Sequence, residues 1–291
     1  MKNTTIALIQ TNWPGSRAEM IKTYRELVAE AAQRGAEIVC LQEFSLSPYF
    51  ASVKDDANIA WSEPVRGGES DVVFGELARQ HGVFLLGSIF ERAEDNVYWD
   101  TATVHNPAGE LAGFTRKVHI PQGAGYYEDY YYGGYDEFPV HDVAGVQTAV
   151  PTCYDQWFPE LSRIYALNGA EFIFYPTAIG SEPDAPELDT AESWQTVMRG
   201  QAIANGVFIA AANRVGQEGV TFYGSSFICD PMGRIIAQAS RDQTEVIVAV
   251  LDTAVFDQWR YLFPLLHQRR PDAYGRLLDA NPARPSTTTR P

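Results

Sequence analysis

Two segments of the chain are built alike, and this internal similarity constrains the fold more than any other feature. RGAEIVCLQEF (34–44) and NGAEFIFYPTA (168–178) each start at the end of a predicted helix, continue through Gly-Ala-Glu and then form an apolar strand. An earlier predicted strand precedes each helix, so the chain consists of two strand–helix–strand halves. Glu43 then corresponds to Thr177, and both fall at the carboxyl end of a strand, where open α/β sheets bind ligands. A chance likeness between two ordinary α/β segments is the alternative.

Several β-rich runs bounded by Gly, Pro, Asn or Asp are spread along the rest of the chain. Helices are predicted over 16–35, 159–169 and 190–206. Some strands follow one another without an intervening helix, which requires a mixed sheet. Because no Pro- or Gly-rich linker separates the halves, we predict one catalytic domain over 1–280 and a disordered tail over 281–291.

Composition excludes several kinds of partner. The chain has 291 residues, 45% of them hydrophobic, and a formal net charge of -15. Nucleic acid is an unsuitable partner for such a chain, because its binding requires Lys and Arg to neutralise phosphates. An acidic surface would attract cationic substrates, but solubility is the stronger explanation of the charge. There is no apolar run long enough for a membrane span, and the three cysteines suggest no disulfide framework, so we expect a cytoplasmic protein.

Four side chains that can react occur where apolar runs end, or in the loop between them. Glu43 follows IVCLQ, Lys117 lies in GFTRKVHIP, Cys153 closes VQTAVPTC, and Glu128 lies in an aromatic, glycine-rich stretch between the last two. Taken singly, each has an ordinary explanation, such as a solvated acid, a surface lysine or an inert buried thiol. Together they supply the nucleophile, the base and the cation that a thiol hydrolase needs.

Other chemistry has little support in the sequence. The five histidines have no metal-ligand spacing among themselves or with cysteine. Neither a phosphate-binding nor a dinucleotide-binding glycine motif follows a predicted strand, and GSSF is not G-x-S-x-G. Strand alternation places Lys117 and His119 on one face, so a Cys153–His119 pair stays open as an alternative. We expect neither a metal nor a cofactor.

The motifs around these residues resemble the nitrilase (carbon–nitrogen hydrolase) superfamily. LQEF, RKVHIP and CYDQWFPE are similar to the three motifs of its Glu–Lys–Cys triad, in the family's order. CYDQWFPE, FYPTAIGSEP, TFYGSSFI and RRPDAYGRLL are similar to one branch, the N-carbamoylputrescine amidases. The resemblance extends to about residue 278 and implies an α/β fold, a four-layer α-β-β-α sandwich with two pseudo-symmetric halves. It also implies homo-oligomers built on dimers.

The same resemblance assigns roles by motif position. It implies that Cys153 is the nucleophile, Glu43 the general base and Lys117 the cation that stabilises the oxyanion. Glu128 would help to position the substrate, and the backbone N–H of Tyr154 would be a second oxyanion donor. The Lys117 ammonium favours the thiolate, while Glu43 accepts the thiol proton as attack proceeds.

Residues that bind the substrate are less strongly indicated. Glu182, in GSEP, is the candidate partner for a distal ammonium, with a solvated loop acid as the alternative. Tyr49, Thr177 and Tyr154 are candidates for the pocket wall. Three departures from the branch affect the pocket's shape: Tyr154 replaces the usual Trp, Pro151 precedes the nucleophile, and YYYGGYDEF lacks the usual Pro-Gly-Asp.

The expected reaction is hydrolysis of the small molecule N-carbamoylputrescine to putrescine, CO2 and ammonia, as in polyamine synthesis. The same residues acting on N-carbamoyl-β-alanine or an aliphatic amide are the nearest alternative. A substrate with a carboxylate tail should require Arg or Lys in place of Glu182. A non-catalytic binding scaffold is an alternative of another class, which loss of a triad member would indicate; none is lost.

Overall fold

The computed structural model describes residues 2–279, so the predicted tail at 281–291 lies outside the described residues, and the boundary at 280 stays a prediction. The first half contains β1 (Thr4–Gln10), α1 (Arg17–Gln33), β2 (Ile38–Cys40), α2 (Glu69–His81), β3 (Phe84–Arg92), β4 (Tyr98–His105) and β5 (Leu111–Arg116). The second half contains β6 (His141–Val143), β7 (Val146–Ala149), α3 (Pro159–Leu167), β8 (Phe172–Pro176), α4 (Ala191–Asn205), β9 (Phe208–Ala212), β10 (Val215–Glu218), β11 (Val220–Tyr223), β12 (Phe227–Cys229) and β13 (Ile235–Gln238). The chain ends with β14 (Glu245–Leu251) and α5 (Thr253–Leu262).

The starts of two helices follow directly from their sequences. Ser16 caps α1, since its side chain accepts a hydrogen bond from the Glu19 amide at 3.2 Å. Gly35, just after that helix, has a φ of +86°, a conformation that costs glycine little. Helix α3 begins at Pro159, whose missing amide is harmless in a first turn. Both predicted starts are confirmed.

The strands form two six-stranded mixed sheets and a small two-stranded one. The orders of the large sheets are β14-β1-β2-β3-β4-β5 and β13-β12-β9-β8-β7-β6. In each, the three central strands run parallel and their outer neighbours antiparallel. The strands of the two repeated segments, β2 and β8, occupy the same middle position. The prediction of two strand–helix–strand halves is therefore confirmed.

The large sheets pack face to face, with a helical layer on each outer face. The central apolar cluster joins Ile6 and Leu86 of the first sheet to Phe174 and Phe208 of the second. Two further clusters lie between α1, α2 and the first sheet and between α3, α4 and the second. This is the predicted four-layer α-β-β-α sandwich, and its halves share one hydrophobic core.

A buried arginine joins the halves beside the repeated strand ends. Arg214, just after β9, is fully buried and donates to the backbone carbonyls of Glu43 and Ser47 at 2.9 and 2.8 Å. Its guanidinium also pairs with Glu218 at 2.9 Å, while the Glu43 amide donates to the Thr177 carbonyl at 3.4 Å. A buried carbonyl without a donor costs about 1–3 kcal/mol, so Arg214 holds the end of β2 in place.

Candidate active site

The four reactive side chains of the sequence come together where three strands end. Glu43 follows β2, Lys117 follows β5, Cys153 follows β7, and Glu128 begins a short 3-10 helix. Cys153 is 6% exposed, and the other three are at most 1% exposed. Four polar side chains buried together in one place must satisfy one another, because water does not reach them.

Lys117 lies outside the strand in which the sequence placed it. Strand β5 ends one residue earlier; the Lys117 amide still donates to the Asp100 carbonyl at 2.9 Å, but the His119 amide binds the Asp155 carboxylate at 2.8 Å. The predicted strand through His119 was wrong because this buried carboxylate takes the amide. The His119 ring also contacts Asp155, at 2.9 Å, so it has a partner other than Cys153.

The Lys117 ammonium is held by three carboxylates in a fully buried cluster. Its Nζ lies 2.8 Å from Glu43 Oε1, 2.5 Å from Glu128 Oε2 and 3.2 Å from Asp100 Oδ2. Burial by itself would lower the pKa of Lys117, but the three carboxylates outweigh it and raise that pKa. Lys117 therefore stays charged at neutral pH.

Asp100 is a member of this cluster that sequence reasoning missed. It lies on β4, is 1% exposed and accepts a hydrogen bond from the Ser88 hydroxyl at 3.0 Å. Burial raises the pKa of Asp100 to about 6, against the opposing effect of Lys117. The available signal was an acid inside an apolar strand, VYWDTATVH, because a buried charge needs a partner.

Two tyrosines orient Glu128. The Tyr49 hydroxyl donates to Oε1 at 3.0 Å and the Tyr132 hydroxyl donates to Oε2 at 2.7 Å. Both oxygens therefore accept at least one hydrogen bond, in addition to the ion pair with Lys117. Tyr49 itself is only 1% exposed, so it acts on the site through its hydrogen bond to Glu128.

Cys153 lies at a strained turn. Its φ of +39° is left-handed, a conformation that is rare for residues other than glycine and that concentrates at functional sites. The turn opens a short 3-10 helix (Cys153–Trp157), and the Asp155 carboxylate caps it by accepting a hydrogen bond from the Thr152 amide at 3.2 Å. Asp155 thus fixes this turn and, through the amides that follow Lys117, the neighbouring strand end.

The environment keeps the sulfur protonated at rest. Burial, reinforced by the Glu43 charge, raises the pKa of Cys153 well above its usual range, even though Lys117 acts in the opposite direction. Burial also raises the pKa of Glu43; Lys117 opposes this effect, and Asp100 and Glu128 add to it. Lys117 favours the thiolate as expected, but too weakly to produce it at rest. The thiolate must form as a base takes the proton.

A cavity of about 460 Å³ opens at Cys153. Cys153 and Glu128 form its buried part, and the half-buried Tyr154, Trp157 and Glu182 form another part of its wall. Burial raises the pKa of Glu182, and its carboxylate receives no hydrogen bond from residues 2–279. Every lining residue belongs to the described part of the chain, and none of them is Lys or Arg.

Two further predicted residues have different surroundings. Thr177 is fully buried, donates to the Tyr175 carbonyl at 3.0 Å and does not line the cavity. Pro151 lies beyond the end of β7, whose pairing with β8 extends only to Ala149, so its missing amide leaves no gap in the sheet.

Tyr126, which the sequence did not single out, braces the cavity wall. Its hydroxyl accepts from the Gly180 amide and donates to the Ser181 carbonyl, both at 3.1 Å. It thereby joins the aromatic loop that carries Glu128 to the loop that carries Glu182. Burial raises the pKa of Tyr126, and the nearby Glu182 carboxylate adds to this effect.

This sandwich, with acid, amine and thiol at the strand ends between its two sheets, defines an α-β-β-α hydrolase of the nitrilase type. The family model for carbon-nitrogen hydrolases matches residues 5–261. The chain therefore belongs to the carbon–nitrogen hydrolase family and is an enzyme that acts on amides.

Known relatives are similar to this chain over almost its whole length. The chain is 35% identical to a citrullinase of Francisella tularensis, over 96% of this chain and 99% of the relative. It is 36% identical to an N-carbamoylputrescine amidase of Solanum lycopersicum, over 97% of each. A crystal structure of a carbon-nitrogen hydrolase from Helicobacter pylori matches with a TM-score of 0.91 at 34% identity, over 96% of this chain and 99% of that one. Within residues 2–279, no helix has the length and apolar character needed to cross a membrane.

Proposed function

We propose that this enzyme hydrolyses N-carbamoylputrescine to putrescine, CO2 and ammonia. The observation that carries the proposal is the charge of the cavity: Glu182 lines it without a cation partner among residues 2–279, and none of the lining residues, all described, is Lys or Arg. The ureido carbon of the substrate would meet the Cys153 thiol, and its distal ammonium would meet the Glu182 carboxylate. An anionic cavity of this kind favours a cationic substrate.

In the first half of the reaction, Cys153 Sγ attacks the ureido carbon and its proton passes to Glu43. The ammonium of Lys117 and the amide of Tyr154 stabilise the oxyanion that forms; in other enzymes, loss of one such donor costs about 2.7–4 kcal/mol. Protonated Glu43 then gives its proton to the departing ammonia. The product of this half is a thiocarbamate ester on Cys153.

In the second half, Glu43 takes a proton from the water that attacks the ester carbon, and it gives this proton to the departing sulfur, so that a carbamate and the Cys153 thiol are released. The carbamate loses CO2 and leaves putrescine. Burial raises the pKa of Glu43, which suits both steps because a carboxyl with a raised pKa holds a proton more readily between accepting and donating it. Glu128, already oriented by two tyrosines, would hold the ureido group in place.

Citrulline is the second candidate, because a citrullinase is about as similar to this chain as the N-carbamoylputrescine amidases are. Citrulline carries the same ureido group, but its tail has a carboxylate beside the ammonium. No lining residue of the cavity, all of which are described, supplies a cation for that carboxylate. N-carbamoyl-β-alanine meets the same objection, and an aliphatic amide would leave Glu182 without a partner.

We also propose a homo-oligomer built on dimers. Helix α5 and the segment after it expose large apolar side chains: Tyr261, Leu262, Phe263, Leu277 and Leu278. An exposed apolar patch of this kind is typical of a protein interface. The free cysteines suit a reducing cytoplasm, where polyamine synthesis would use this activity.

Ammonia release from four substrates tests the proposal. N-carbamoylputrescine, citrulline, N-carbamoyl-β-alanine and butyramide share a scissile C–N bond and differ in the tail. We expect the highest kcat/KM for N-carbamoylputrescine, because only its tail is purely cationic. A higher value for citrulline would identify the second candidate as the substrate, and a higher value for butyramide would remove the proposed role of Glu182.

A further inference from the structure

Two buried carboxylate oxygens beside Lys117 receive no hydrogen bond from any residue in 2–279: Glu43 Oε2 and Asp100 Oδ2. One carboxylate oxygen from each of Glu43, Asp100 and Glu128 lies within 4.8 Å of the others. A buried acceptor without a donor is costly. The Glu43 and Asp100 carboxyl groups interact directly, so a single proton shared between them would let one donate a hydrogen bond to the other.

The charge of the cluster leads to the same conclusion. Three carboxylates surround one ammonium, so full ionisation would bury two negative charges in excess. The other groups around the pair do not offset this excess: the Ser88 hydroxyl is neutral, and burial raises the pKa values of Tyr49, Tyr132 and Cys153, which stay protonated. Two carboxylates in one site usually retain a proton for this reason.

The donors of Lys117 show why the proton matters to the reaction. An ammonium has three N–H groups, and Lys117 uses two of them on Glu43 and Glu128. Asp100 Oδ2 lies 3.2 Å from Nζ, near enough to attract the third N–H. If Asp100 is protonated, the third N–H stays available for the oxyanion of the substrate. If Asp100 is ionised, it competes for that N–H.

We infer that Glu43 and Asp100 share one proton, and that Asp100 holds it while Glu43 accepts the thiol proton of Cys153. The inference rests on the proposed function, since it deepens the proton chemistry of the same site. Asp100 is a positioning residue that acts through Glu43 and Lys117. The pair titrates as a unit, and loss of its shared proton at high pH would switch the enzyme off.

Asp100→Asn is the main test, because an asparagine amide permanently imitates a protonated aspartate toward Glu43. We expect this variant to keep kcat at neutral pH within about tenfold of the wild type, whereas Asp100→Ala, which has no donor for Glu43, loses about 10- to 100-fold. The decisive readout is the pH profile of kcat. In the wild type, loss of the shared proton produces the alkaline limb. Asp100→Asn cannot lose that proton, so its alkaline limb should lie about one pH unit or more higher.

Asp230→Asn is the matched control. Asp230 is 2% exposed and accepts hydrogen bonds from Arg234 and from backbone amides in the turn between β12 and β13, outside the site. It should leave both limbs where they are. An unmoved alkaline limb in Asp100→Asn would overturn the inference. A shift of the acid limb alone would also overturn the inference, because it would mean that the active form of the enzyme does not carry the shared proton.

Infrared spectroscopy of the wild type keeps the test decisive if the variants do not fold. A protonated-carboxyl band should persist above the pH at which ordinary carboxyls ionise and should disappear along the alkaline limb of kcat; a limb without such a change contradicts the inference. The kcat profiles are measured with butyramide, because Asp100 takes no part in recognising the tail of the substrate. If no amide is turned over, the proposed function fails, and the band still decides whether the proton is shared.

Discussion

The active site has two regions that are built differently. The inner cluster (Glu43, Asp100, Lys117 and Glu128) is at most 1% exposed, and its members are attached to strand ends or held by buried hydroxyls. The outer wall (Tyr154, Trp157 and Glu182) is half-buried, and Glu182 lies on a loop. Groups that carry out chemistry need fixed positions, whereas a wall that selects a tail tolerates variation. Changes in the inner cluster should therefore affect every substrate, and changes in the outer wall should affect only some.

The largest effect is expected from Cys153→Ala, which removes the sulfur on which both regions converge. Turnover of every amide should fall by about 10⁴-fold or more, because Cys153 is the proposed nucleophile. Ammonia release measures the effect. Cys229→Ala is the control: it removes a buried thiol on β12, the strand between β9 and β13, and should retain activity. Ammonia release that persists in Cys153→Ala would eliminate the proposed mechanism.

Lys117→Met should give the next largest effect. It removes the proposed oxyanion donor and leaves three buried carboxylates without their cation, so kcat/KM should fall about 10²- to 10³-fold for cationic and neutral substrates alike. Urea unfolding should show a stability loss of about 3–5 kcal/mol, as for other broken buried ion pairs. Arg116→Met changes the neighbouring, partly exposed cation, which pairs with Glu91. It should affect stability without a comparable loss of turnover, and equal kinetic losses would contradict the role of Lys117.

Glu182→Gln tests the outer wall. The kcat/KM for N-carbamoylputrescine should fall about 10- to 100-fold, because a hydrogen bond to a charged partner is weakened, while butyramide should be cleaved as before. Glu187→Gln changes an exposed acid on the same loop and should leave both substrates unaffected. A loss of equal size on both substrates would place Glu182 with the inner cluster and remove the distinction between the regions.

Tyr49→Phe should give the smallest effect. It removes one of the two tyrosine donors to Glu128, so kcat should fall about threefold for all substrates, in keeping with one net hydrogen bond. Tyr165→Phe removes a buried hydroxyl that has no hydrogen-bond partner in the described chain, and it is the matched control. A change restricted to cationic substrates would show that Tyr49 acts on the outer wall after all.

Most predicted features that depended on local pattern agree with the structure, and the strand through Lys117 is the exception. The two repeated segments predicted corresponding strands, and β2 and β8 occupy the same place in their sheets. Helix α2 was missed, although Val73, Phe74, Leu77 and Ala78 give it a helical apolar face. Lys117 was placed inside a strand because alternation continues past Arg116, and the sequence does not reveal that the Asp155 carboxylate takes the amide of His119.

By itself, the sequence determined most of the strands, the two-half architecture and which reactive groups are available, because these follow from periodicity and residue type. Only the tertiary structure decided which of those groups meet. Asp100 and Arg214 each look like an isolated charge in the sequence, yet both are buried against the end of β2 by residues distant in the chain. The tertiary structure also decided that Cys153 rests as a thiol. The physical reason is that desolvation and Coulomb interactions depend on what surrounds a group in space, which residue order alone does not specify.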